Sequence, residues 1–397
     1  MVKIASGEDA WRYFQSTVAD EASVGAAIDY YVDEGTPAGR WLGSGAAELG
    51  LAEGRSATPA ELSNLFGRGR HPLTGELLAR RYVVVTSLAE RVSARIEAID
   101  AGIDDAQREA AIARITAEET ARAPTASVAG FELVFNPPKS VSVLWGLAPE
   151  SVQFQIRAAH HQALQETLAI LERDALRTRV GSGGVAQIEV TGAVAAAFDH
   201  WDSREGDPQL HTHLLIANRV KAADGRWRTI DSRHALSPHV VTLSETYDAA
   251  LMDALSNRLG LEWTERSVLR DPLGYEAFIE ANQLTDSQES RGLFADASGI
   301  EPRNRKWELV GIDLPLLEEF SQRAARIAQT KDELIDAFRE RVGREPSRFE
   351  IWRMRHTATR TTRAAKVARS LEELSADWVQ RAAPWGGFAR TVDRTIY

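Results

Sequence analysis

The chain of 397 residues contains no cysteine. Disulfide staples, thiol catalysis and cysteine-ligated zinc are therefore excluded, and the composition suits a reducing cytoplasm. No apolar run approaches the roughly 20 residues of a membrane-spanning helix, so no membrane insertion is expected. The first fourteen residues lack the charged-then-apolar pattern of a signal peptide. A phosphate loop of the G-x-x-x-x-G-K-[ST] type is absent, as are internal repeats. Basic residues are in the minority: 47 Lys and Arg against 57 Asp and Glu leave a net charge of −10. A uniformly basic nucleic-acid binder is excluded, but a local basic surface is not. The 44% hydrophobic and 26% charged fractions are those of a globular protein, and the length suffices for one large domain or two ordinary ones.

What is present changes along the chain. Residues 1–60 are short elements broken by Gly35, Gly39, Gly43, Gly45, Gly50 and Gly54. Leu88, Val92, Ile96 and Ile99 recur at helical spacing, then Gly102 interrupts and Ile112 and Ile115 follow, which predicts a two-helix insertion at about 87–122. Phe131–Phe135 reads as a strand ended by Pro137 and Pro138, and Ser140–Trp145 as a second, alternating strand. A helix is predicted over 152–180, stopped by Gly181–Gly184, with strands at 186–191, 193–200, 211–220 and 226–230. The order predicts an α+β class with a central antiparallel sheet. Residues 316–397 read as a helical C-terminal appendage to a domain spanning 1–315. Its basic stretch, Arg353 to Arg369, faces DNA, an adjoining domain or solvent.

The densest chemical signal is His200, a turn-rich loop, and then Asp207-Pro208-Gln209-Leu210-His211-Thr212-His213. His211 and His213 project from the same face of a strand, because side chains alternate. The loop can return His200 beside them as a hairpin partner, so three imidazoles converge into a metal site with open positions. The plainer reading, three ordinary strand histidines, is weakened by their density: three of nine histidines lie within fourteen residues. His160 and His161 read as a helix surface and its edge.

Three stretches carry a resemblance. Gly130 to Ser142 (GFELVFNPPKSVS) is similar to the pattern G-F-D-L-T-F-S-A-P-K-S-V-S. The block from His200 to His213 is followed by Ala217-Asn218 and Asp224-Gly225-Arg226-Trp227. Gly39-Arg40-Trp41, with Gly43 to Gly50, is similar to R-W-x-G-x-G-A-x-x-L-G-L. The chain thus resembles the MobF conjugative relaxases, the TrwC/TraI type of HUH endonuclease, over roughly residues 1–315. The resemblance implies a palm-like sheet with flanking helices. It implies site- and strand-specific nicking and rejoining of DNA at a plasmid origin of transfer, through a 5′-phosphotyrosine intermediate. A divalent ion, Mg²⁺ or Mn²⁺ in use with Zn²⁺ compatible with the ligands, would sit on the three histidines. Relaxosome and coupling proteins would be partners, and larger family members carry a helicase after this part.

The resemblance places the nucleophile near the N-terminus, at Tyr13 for the first nick and at Tyr30 or Tyr31 for a second transfer. A half-buried aromatic pair is the alternative for Tyr30 and Tyr31. Glu132 stands where the family usually has aspartate, and the role carried over is to hydrogen-bond a metal histidine and help take the tyrosine proton. Phosphate contacts are expected from Lys139, Ser140, Arg204, Arg219, Lys221, Arg226, Arg228 and Arg233; for any one arginine a solvated surface residue is the preferred reading, and the cluster tells more than its members. Two other functions remain open at this point: a metal-dependent phosphodiesterase that uses water, and a DNA-binding module without catalysis.

Overall fold

The computed structural model describes residues 1–5, 38–83, 88–99, 104–121, 127–266, 272–287, 290–291, 307–362 and 369–386. Its centre is a five-stranded antiparallel sheet in the order β1-β3-β7-β6-β2, formed by β1 (Val2–Ala5), β2 (Arg40–Leu42), β3 (Val128–Phe135), β6 (Ala195–Asp202) and β7 (Pro208–Ala217). Two-stranded ribbons join β4 (Arg177–Val180) to β5 (Ala186–Glu189), β8 (Val220–Lys221) to β9 (Trp227–Arg228), and β10 (Trp263–Glu265) to β11 (Trp307–Leu309).

Each face of the sheet carries its own core, as strand alternation requires. Ala195, Ala197, Trp201, Leu210, Leu214 and Ile216 point to the back face, into a large cluster beneath the helices Glu150–Ile170 and Ser237–Leu259. Ala196, Phe198, Leu215 and Ala217 point to the front, against Trp41, Leu62 and Phe66. Gly39 is required there, because a Cβ would lie 2.3 Å from the Phe198 ring.

Three sequence readings are corrected. Ser140–Trp145 is not a strand; it lies in the helix Lys139–Leu147, whose residues from Ser140 onward are all buried. A short apolar run buried on every side has no face to reveal its period. Its small residues allow close packing: a Cβ at Gly146 would come within 2.9 Å of both Pro208 and Trp378. The predicted helix over 152–180 runs from Glu150 to Ile170 plus one further turn to Ala175, after which Arg177–Val180 pairs as β4. Gly181–Gly184 is therefore the tip of the β4–β5 ribbon, not a helix stop. His160 is not on a helix surface but fully buried.

The two inserted helices are Leu88–Glu97 and Asp105–Ala121, joined by Arg91 and Arg95 to Glu119. The C-terminal helices return to the body. Leu374, Trp378 and Ala382 belong to the back-face cluster, where Trp378 packs 5.8 Å from Trp145. Truncating a tryptophan buried this way costs about 3–5 kcal/mol. The helix Leu371–Ala382 clasps the β6–β7 turn: Arg381 bonds Asp207 at 2.8 Å and Trp378 Nε1 donates to the Gly206 carbonyl at 2.7 Å. Gly206 has φ +75°, which the turn needs and a side chain would resist.

Candidate active site

The β6–β7 register sets His200 directly opposite His211 and Phe198 opposite His213. All three imidazoles therefore stand on the front face at the turn end of the hairpin. Their ring centroids are 4.8–5.1 Å apart, and one nitrogen from each lies within 4.8 Å of the others. Nitrogens bound to one ion at about 2.1 Å with tetrahedral angles lie about 3.4 Å apart, so side-chain rotations that bring the rings together by up to roughly 1.4 Å close the set.

Outer partners choose the tautomers. His213 Nδ1 donates to Glu132 Oε1 at 2.5 Å, and His211 Nδ1 donates to the Gln209 carbonyl at 2.8 Å. With Nδ1 protonated, the Nε2 of each ring carries the lone pair, as a metal ligand must. Glu132 reaches His213 because β3 pairs with β7 at Val134–His213 and Glu132 is two residues away on the same face. Three imidazoles, two of them with fixed tautomers, fit a divalent cation.

Behind these strands lies a second polar cluster. Asp199 is buried and accepts from Arg40 at 2.5 Å, His161 Nε2 at 2.9 Å and the Thr212 hydroxyl at 2.5 Å. Burial alone would raise its carboxyl, but the bonds from His161 and Arg40 outweigh it and hold the group well below the usual range. Thr212 has one proton, given to Asp199, so it accepts from His160 Nε2–H at 2.7 Å. His160 Nδ1 then accepts from the Tyr247 hydroxyl at 2.7 Å. Burial pushes the His160 pKa down to about 3, so the ring stays neutral. None of this cluster is legible as a unit in the sequence, since its members span residues 40 to 247.

The expected DNA contacts fall in three groups. Ser140 is buried, with its amide on Glu308 and its hydroxyl accepting from Leu309 N. Lys139 is largely buried, donates to the Pro208 carbonyl at 2.8 Å, and has its pKa pulled down to about 8 by burial. Lys139 thus holds the start of β7 and Ser140 holds β11. Arg219 is also buried, stacked 4.1 Å over the Tyr82 ring, while Arg228 pairs with Asp224 and Lys221 with Glu48. Arg226 and Arg233 are exposed, and Arg204 is half-buried in the turn beside the histidines. Arg219, Arg228 and Arg233 line a groove of about 780 Å³ together with Arg80, Arg81 and Arg179. The last three escape sequence reading because only the fold gathers them. Tyr13, Tyr30 and Tyr31 lie outside the described residues.

A family model described as TrwC relaxase matches residues 7–282 and 275–384. The chain belongs to the TrwC relaxase family. Among relatives, the multifunctional conjugation protein TraI of Escherichia coli K12 is 24% identical over 372 residues, covering 92% of this chain and 16% of TraI. A second Escherichia coli TraI is 28% identical over 253 residues, covering 63% of this chain and 11% of that protein. The chain thus spans under a fifth of the length of these relatives. The fold is that of conjugative relaxase TrwC, solved in a metal-bound complex with oriT DNA, with TM-score 0.60, 22% identity and 97% of each chain covered. A copper-bound complex of the same relaxase matches with TM-score 0.59 and 23% identity, again over 97% of each chain. The TrwC relaxase family thus embraces both the strand carrying Glu132 and the histidine hairpin of this chain.

Proposed function

We propose that this chain nicks and rejoins one DNA strand at an origin of transfer, forming a transient 5′-phosphotyrosine link that starts conjugative transfer. The observation that carries this reading is the convergence of His200, His211 and His213, with two tautomers fixed by Glu132 and Gln209. A divalent cation held there would polarise the scissile phosphate and offset the charge that develops on it. Mg²⁺ or Mn²⁺ fits use in the cell, and Zn²⁺ fits the imidazole set.

The nucleophile is a phenol of the N-terminal segment. Tyr82 and Tyr247 are unsuitable, because burial raises Tyr82 to about 12 and Tyr247 well above the ordinary value. The Tyr275 hydroxyl donates to Asp286 at 2.8 Å, far along the chain from the histidine hairpin. We assign the first nick to Tyr13 and a second transfer to Tyr30 or Tyr31. The phenol oxygen bonds to phosphorus as the P–O3′ bond breaks, and the departing 3′-oxygen takes up a proton. Glu132, beside His213, is the nearby carboxylate for the phenolic proton. Arg204, Arg226 and the arginine groove supply phosphate contacts, while Lys139 holds the start of β7 and Ser140 holds β11. Residues 1–315 are the catalytic part and 316–397 an appendage whose helix Leu371–Ala382 clasps the turn. Relaxosome and coupling proteins are the partners, and the compartment is the cytoplasm. Among the described residues, no helix is long and apolar enough to cross a membrane.

The test is a nicking assay on origin-of-transfer oligonucleotides with and without EDTA. The proposal expects metal-dependent cleavage leaving a free 3′-hydroxyl; a 5′-phosphate product with no protein attached would instead indicate hydrolysis by water.

A further inference from the structure

The helix Arg348–Thr361 carries a feature that the nicking chemistry does not use. Phe349, Trp352, Arg353, His356 and Arg360 recur at steps of three, one, three and four, so they form one stripe along the helix. Such a stripe normally faces inward. Here Ala358, on the opposite side, makes the buried contact, and Arg323 of the helix Gln322–Val342 bonds the carbonyls of Thr359 and Thr362. The aromatic stripe faces solvent, with Phe349 66% and Trp352 53% exposed. The rings form a ladder: Phe349 lies 5.8 Å from Trp352 at 15°, and Trp352 lies 4.0 Å from His356. Arg353 and Arg360 are exposed and make no ion pair among the described residues. The helix's one acidic residue, Glu350, is taken up by Arg344 and the Ser347 cap.

We propose that this stripe is a stacking platform for single-stranded DNA, separate from the histidine centre. It rests on the relaxase reading, since that reaction presents a single strand. Flat rings stack on any base and adjacent guanidiniums meet phosphates, which is the pairing that sequence-tolerant single-strand binding uses. A cationic surface on a protein of net charge −10 selects a polyanion over an apolar partner. Its position fits. Arg323 and Arg326 approach Glu205 in the β6–β7 turn at 4.0 and 3.0 Å, so the helix end at Thr362 is anchored near the histidines. From there the stripe runs about 20 Å to Phe349 at ~1.5 Å per residue.

The test measures binding of oligothymidine strands of increasing length to the full chain, beside nicking of a short oligonucleotide that covers only the cleavage site. The double variant Phe349→Ala/Trp352→Ala should lose roughly tenfold or more affinity for long strands and nick the short one at the wild-type rate. Trp352→Phe should retain most of the affinity. Arg353→Gln/Arg360→Gln should lower the slope of log affinity against log salt by about one to two. Unchanged long-strand affinity in the double aromatic variant would overturn the platform. If that variant changes the association state instead, the stripe is a protein interface. Failure of the wild-type chain to nick the short oligonucleotide would strike the relaxase reading, while the length series would still decide the platform.

Discussion

The two faces of the β6–β7 hairpin use the same residue type in opposite ways. On the front, His200, His211 and His213 meet one another, and in His211 and His213 one nitrogen is held by an oxygen acceptor while the other carries the lone pair. On the back, both nitrogens of His160 are committed to the hydroxyls of Thr212 and Tyr247, and burial keeps the ring neutral. The difference lies in the partners. An imidazole whose outer nitrogen is fixed and whose neighbours are imidazoles is placed to bind an ion; one enclosed by complementary donors and acceptors is a structural strut.

Substitutions should separate the faces. His211→Ala or His213→Ala should reduce nicking by about a thousandfold or more, since metal stabilisation of a phosphoryl transition state is worth several kcal/mol. Gel-shift affinity should change little, because phosphate contacts elsewhere carry most of the binding. A variant that kept nicking within a few-fold would erase the distinction. On the back, Asp199→Ala leaves Arg40 facing a buried gap, and breaking a buried pair costs about 3–5 kcal/mol. Denaturant titration should show that loss, with metal affinity of the folded variant near normal. Glu132→Gln acts on the front face, through His213. It should lower metal affinity or nicking by about 10- to 100-fold, read by metal titration, with little change in melting temperature.

The last effect is in pH. His160 has its folded pKa depressed to about 3, against about 6.5 when unfolded. The unfolded chain therefore binds the extra proton between these values. The stability this group contributes is complete above about pH 6.5 and is lost as pH falls toward 3, at up to ~1.4 kcal/mol per pH unit. His160→Asn, measured by thermal melts from pH 7 to 4.5, should flatten that limb. An equally steep limb would place the acid sensitivity elsewhere.

Much of the front face was legible before the fold was known. The i, i+2 spacing of His211 and His213, with a turn-forming loop back to His200, dictates a shared face wherever those residues form a hairpin. The α+β class follows from the strand-rich middle in the same way. Ser140–Trp145 misled because a helix buried on all sides shows no amphipathic period, and small alternating residues mimic a strand. The back-face cluster and the groove arginines Arg80, Arg81 and Arg179 were hidden, since they meet their partners only through tertiary packing. The exposed ladder of Phe349 and Trp352 was masked by its own pattern: helical spacing of aromatics normally signals a core face.

The most direct test is a denaturing gel of the chain incubated with an origin-of-transfer single strand labelled on its 5′-phosphate side of the nick. The relaxase reading expects a shifted band of protein covalently bound to DNA in the presence of Mg²⁺ or Mn²⁺. That band should vanish with EDTA, with His213→Ala, and for the first nick with Tyr13→Phe. Cleaved DNA without any protein-linked band would contradict it, and an adduct surviving in Tyr13→Phe but lost in Tyr30→Phe would move the nucleophile to the second pair.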